Sequence, residues 1–130
     1  MEVSLIDEKQ EKQNTLESLN IYKKYVDLLY YSYLILEKYP KCEKQALASD
    51  IKNILFKGLT NVIDAHKEFN KTRRLVHLNK LDSSMKVLKV LIRISYKRKY
   101  INSKNYGAWS KKISDVANLM GGWIKSCLKQ

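Results

Sequence analysis

"YGAWSKKISDVANLMGGWIKS", residues 106–126, is the stretch whose reading decides the fold. Its bulky residues Tyr106, Trp109, Ile113, Val116, Met120 and Trp123 recur at intervals of three, four, three, four and three. That rhythm stacks all six on one face of an α-helix and makes the seam of a tightly packed bundle. The spacing predicts a helix from about Lys104 to Leu128. Gly121 and Gly122 interrupt it, and each costs roughly 1 kcal/mol relative to alanine in a helix interior. Trp123, Ile124 and Leu128 continue the helical spacing past the pair. The glycines are therefore read as a shallow spot where a neighbouring helix backbone approaches, with Trp123 lying over it. A C-terminal cap with a left-handed glycine is the competing reading.

A seam of this kind needs partner helices, and the rest of the chain supplies three. A first helix is expected from about Ser18 to Lys38, with Tyr25, Leu28, Leu29, Ser32, Leu36 and Tyr39 on its apolar side and Pro40 as its stop. A second follows from just after Pro40 to about Asn70, carried by Leu47, Ile51, Ile54, Leu55, Gly58, Val62, Ala65 and Phe69. Thr72 is the expected N-cap of a third helix running from about Arg73 to Lys99, and Asn102 or Ser103 that of the fourth. Residues 1–17 are a polar lead-in, a frayed helix or a disordered segment, ahead of a domain over 18–130. Four amphipathic helices with short connections predict an all-α fold, an antiparallel up-down four-helix bundle.

The chain has 130 residues and a formal net charge of +12, and the charge is uneven. Residues 1–40 hold seven acids and five bases; residues 41–130 hold six acids and 20 bases. Between Lys71 and Tyr100 ten cations face a single acid, Asp82. Such a balance predicts attraction to a polyanion: RNA, DNA or an anionic membrane surface.

The third helix is unusual in a second way. With Met85 at zero on a helical wheel, Leu78, Leu81, Leu88 and Ile92 cluster within about 60° as an ordinary core stripe. Val87, Val90, Leu91 and Ile94 fall at about 140° to 240°, on a second apolar face. Lys86, Lys89, Arg93 and Lys97 fill the remainder at about 40° to 120°. One core stripe needs only about 100°. The surplus face is therefore expected at a subunit interface beside a basic ridge. Arg73, Arg74, Lys86, Lys89, Arg93, Lys97, Arg98 and Lys99 are the candidate contacts to an anionic partner. Tyr96 and Tyr100, set among those cations, are the tyrosines best placed to stack on bases.

Catalytic constellations are missing. His66 and His77 lack a nearby carboxylate or cysteine partner, and Cys42 and Cys127 match no metal or redox spacing. No phosphate-binding glycine loop, nucleophile elbow or Glu-x-x-His pair occurs. The expectation is a protein that is not an enzyme, with no metal and no cofactor. Met1–Gln13 lacks an apolar core of the signal-peptide kind, and no stretch of about 18 apolar residues could span a membrane. A cytoplasmic location is expected.

Three stretches together resemble a known family: "YPKCEKQALASDI" (39–51), "LDSSMKVLKVLIRIS" (81–95) and the closing helix with its Gly-Gly-Trp ending. They resemble the accessory variability determinant (Avd) of diversity-generating retroelements over roughly residues 21–126. The resemblance implies a basic four-helix bundle that assembles as a ring-shaped homopentamer. It implies binding to the element's reverse transcriptase and to nucleic acid in support of mutagenic copying of a template RNA. Some positions depart from the family's pattern. Ala48 stands where glycine is usual, and Lys44, Lys86 and Lys89 stand where arginine is common. Lysine keeps the charge but loses the bidentate fork. The alternatives are a bundle protein of the type encoded in rRNA intervening sequences, or a structural bundle whose basic face meets an acidic protein.

Overall fold

A computed structural model describes the backbone of residues 5–129 and the side chains of residues 16–129. Its elements are α1 (Leu5–Leu36), a short 3-10 turn (Lys41–Glu43), α2 (Leu47–Lys67), α3 (Lys71–Lys97) and α4 (Ser103–Leu128). The all-α bundle expected from the spacing is what forms. Residues 5–17, part of the expected polar lead-in, are the opening turns of α1, while residues 1–4 lie outside the described residues.

Helix boundaries follow local chemistry. Tyr39 and Pro40 lie beyond the end of α1, and Pro40 leads into the 3-10 turn. That turn delays α2 to Leu47, so the second helix starts later than expected. Asn70, not Thr72, caps α3: its side-chain oxygen accepts from the Arg73 amide at 3.0 Å. Asn102 caps α4 in the same way, accepting from the Asn105 amide at 2.7 Å.

Each helix packs against two others. Among the described residues the backbone of α1 lies close to those of α2 and α4 and that of α3 to the same two, so α1 and α3 are diagonal, as are α2 and α4. The cross-links fix the directions. Ser18 reaches His66, while the Tyr25 hydroxyl donates to the Leu55 carbonyl, so α1 and α2 run oppositely. Glu17 reaches Ser126 and Ser32 reaches Trp109, so α1 and α4 do too. Arg74 lies beside Ala65 and Cys127, and Tyr96 beside Tyr106, which makes α3 antiparallel to both of its neighbours. The result is a square, up-down-up-down bundle.

Trp109, Ile113, Val116, Met120 and Trp123 are all buried, and they meet Ile21, Tyr25, Leu28, Ile51, Leu55, Leu81, Met85 and Leu88 in one core. Two polar devices are built into it. The Trp109 indole donates to Ser32 Oγ at 2.8 Å, and Ser32 in turn donates to the Leu28 carbonyl at 2.6 Å. This explains a serine at a core position of α1: it satisfies an indole N–H that burial would otherwise orphan. The second device is Gly58. A Cβ there would lie on the Tyr25 hydroxyl and 2.9 Å from its Cζ. Glycine at 58 is what lets the buried phenol reach the α2 backbone.

Phe69 does not join the core. Helix α2 ends at Lys67, Glu68 turns extended, and Phe69 projects from the link with 87% of its surface exposed.

Candidate functional site

Lys86, Lys89, Arg93 and Lys97 are all exposed along α3. From Lys86 to Lys97 the helix rises about 16 Å, the length of about five phosphates along one strand at 3.4 Å each. Asp82 sits within this ridge and pairs with Lys86 at 2.9 Å. An exposed i,i+4 pair contributes only about 0.3–0.5 kcal/mol, so a phosphate can displace it. Among the described residues, Lys89, Arg93, Lys97, Arg98 and Lys99 form no ion pair.

Arg73 and Arg74 separate from the ridge. Arg73 lies a full helix length away, about 36 Å along the axis from Lys97, and is held by Glu68 at 2.6 Å. That contact keeps the Glu68 carboxyl below the usual carboxylate range. Arg74 is out of reach of any phosphate, because only 7% of its surface is exposed. Its Nε donates to the Ala65 carbonyl at 3.1 Å, one terminal nitrogen donates to the Glu68 carbonyl, and the other lies 3.9 Å from Cys127 Sγ. The guanidinium thus closes the carboxyl end of α2, where the last carbonyls lack helical partners. The wheel contains the signal for this: Arg74 falls about 20° from Met85, on the core stripe rather than the ridge.

The second apolar face of α3 is real but narrower than expected. Val87, Val90 and Ile94 are exposed, and Val76 extends the stripe toward the helix start. Leu91 is half-buried and packs on its own core. A matching stripe, not anticipated as such, runs along the outside of α1: Leu19, Tyr22, Val26, Tyr30 and Leu34. Its sequence signal is a three-to-four spacing, masked by the tyrosines. Since α1 and α3 are diagonal, the two apolar stripes lie on opposite sides of the bundle.

At the end of α3 the backbone turns back on itself. The Tyr100 amide donates to the Ser95 carbonyl at 2.9 Å and the Lys99 amide to the Tyr96 carbonyl at 3.0 Å. These are the two bonds of a Schellman motif, whose left-handed position usually holds glycine. Here it holds Lys99, with φ of 64°, at a cost of about 1 kcal/mol relative to glycine. Beside it, Lys38, Tyr96, Lys97, Lys99, Tyr100 and Asn102 contribute to the walls of an open cleft of about 700 Å³. Tyr96 stacks on Tyr106 with ring centres 4.6 Å apart and planes 10° from parallel. Tyr100 is engaged by Tyr39 at 5.6 Å and by Arg98 at 5.9 Å. Arg98 also reaches the Tyr100 hydroxyl, which raises its already high pKa further.

Gly121 and Gly122 do not serve close packing within the chain. A Cβ at either would meet nothing within 4 Å, neither has a positive φ, and α4 continues to Leu128. The cap reading therefore fails, and within the single chain no helix approaches the pair; Trp123 is fully buried in the core. Among the described residues no group of three His, Cys, Asp or Glu side chains is placed to hold a metal, and no helix is long and apolar enough to cross a membrane.

No curated protein matches the chain. A family model described as bAvd-like matches residues 19–127, a span that takes in the main length of α1 and all but the last residue of α4. With four antiparallel helices in place over that same span, the chain belongs to the bAvd-like family.

Proposed function

We propose that this chain, by family an accessory protein of a diversity-generating retroelement, works without catalysis of its own by binding nucleic acid and the reverse transcriptase along α3. The observation that carries the reading is the row Lys89, Arg93 and Lys97, exposed on successive turns of α3 and in no ion pair among the described residues, with the exposed Arg98 and Lys99 following at the helix end. Such a row neutralises phosphates without reading bases, so binding is weakly sequence-specific and steeply salt-dependent. Arg74 has no part in it.

The apolar stripes on opposite sides support assembly. A face on α3 of one copy against a face on α1 of the next is a heterologous contact, and such contacts close into rings when the rotation permits. The homopentamer that the family resemblance implies is of this kind. It would leave the basic ridge, beside the α3 stripe, near each subunit boundary.

Filter retention of unrelated RNA and DNA oligonucleotides at low salt tests the proposal. Retention of all of them, lost on raising the salt, is the expected result. No retention at low salt would overturn it in favour of an acidic protein partner.

A further inference from the structure

Resting on the nucleic-acid reading above, we infer that the cleft between the end of α3 and the start of α4 is a subsite for one unpaired nucleotide, with Tyr96 as its stacking platform. Three observations converge. The first is chemistry: Lys38, Lys97 and Lys99 come to one open cleft from the segment after α1 and the end of α3, with no carboxylate among the lining residues. The second is the ring. Tyr96 lines the cleft, is 39% exposed, and is braced by the parallel Tyr106. Tyr100, by contrast, is already taken by Tyr39 and Arg98. The third is Lys99 itself: the backbone there holds the left-handed conformation that glycine adopts freely, yet the position carries a cation turned to the cleft wall.

A flat aromatic surface among lysines matches a base joined to its phosphates, and it tolerates any base because each has a π-face. A duplex cannot use it, since paired bases remain stacked on each other and shielded from a protein ring. Asn102 spends its side-chain oxygen on the Asn105 amide, which leaves its NH2 group to donate to a base edge or a phosphate. The ridge along α3 then holds the backbone of either form, while the cleft distinguishes single strand from duplex.

The test uses the full chain with a labelled single-stranded RNA of about ten nucleotides, within the usual footprint of such binders, and a blunt duplex of equal length. The quantity read is the ratio of the two affinities. Tyr96→Ala is expected to lower that ratio by about fivefold or more, and Tyr96→Phe, which keeps the ring, to leave it within twofold of the wild type. Irradiating the complex with RNA carrying 5-iodouridine should cross-link the peptide that contains Tyr96. A ratio unchanged in Tyr96→Ala, or cross-links confined to the Lys89–Arg93 segment, would overturn the subsite while leaving the salt-dependent ridge intact. Failure of the wild type to hold either RNA would overturn both.

Discussion

Glycine has opposite meanings at two places in this chain. At Gly58 an added methyl group collides with the buried Tyr25 ring, which cannot swing away without losing its bond to the Leu55 carbonyl. Gly58→Ala should therefore destabilise the protein by about 1–3 kcal/mol, the usual cost of overpacking, despite alanine's better helix propensity. At Gly121 and Gly122 the space is open, and alanine should stabilise by up to about 1 kcal/mol at each. Denaturant midpoints measured on the three variants check both signs. The spacing of glycines in the sequence pointed the other way. It places Gly58 correctly in the core but cannot show that a tyrosine 33 positions earlier fills its gap, and it gives Gly121 and Gly122 a close contact that the single chain does not contain. Tyr25 also sets a pH limit. Burial pushes its phenol well above the usual tyrosine range and that of Tyr39 up to about 12. Both are protonated in the folded state at pH values where the unfolded chain, titrating near 10, has lost its protons. Stability is thus full below about pH 10 and falls as pH rises through the folded values. Urea midpoints should decline on that side, and less steeply in Tyr25→Phe.

Among the elements, α3 holds the proposed contacts and is the most legible, because its three faces differ in kind. The core face, the ridge and the outer stripe all emerged from a single wheel. Its ends did not. Spacing alone favours Thr72 as the cap where Asn70 serves, and the Lys99 turn leaves no mark in composition because lysine stands where glycine would announce it. Arg74 departs from the ridge for a simpler reason: a cation near others in sequence looks like one of the group until its angle on the helix turns it to the core. Arg74→Ala should cost about 3 kcal/mol or more in thermal or urea unfolding, since it strips charge-assisted bonds from the end of α2. It should leave the salt dependence of nucleic-acid binding as in the wild type. The outer stripe makes a separate prediction. Val90→Glu, at a site 57% exposed in the single chain, should keep the helical circular dichroism and the monomer's fold. It should lower the mass seen by light scattering from that of an assembly to that of one chain.

At the scale of the whole molecule, two properties act together: apolar stripes on opposite sides, and a cationic row alongside one of them. The bundle itself serves as scaffold. Its core of tryptophan, isoleucine and leucine fixes the rotation of α3, and that rotation decides which cations meet solvent and which, like Arg74, turn inward. The fold class followed from the rhythm of Tyr106 to Trp123, since periodicity records burial directly. The site is only half legible, because exposure and pairing depend on neighbours that no single helix specifies: Glu68 for Arg73, Tyr39 for Tyr100. The measurement that tests the central claim most directly is the slope of log affinity against log salt for a short DNA duplex, in the wild type and in the triple variant Lys89→Gln, Arg93→Gln, Lys97→Gln. Loss of three phosphate contacts should make the slope shallower by about 2–3 and weaken binding at low salt by several tenfold steps. An identical slope in the two proteins would contradict the assignment of the α3 ridge as the polyanion contact.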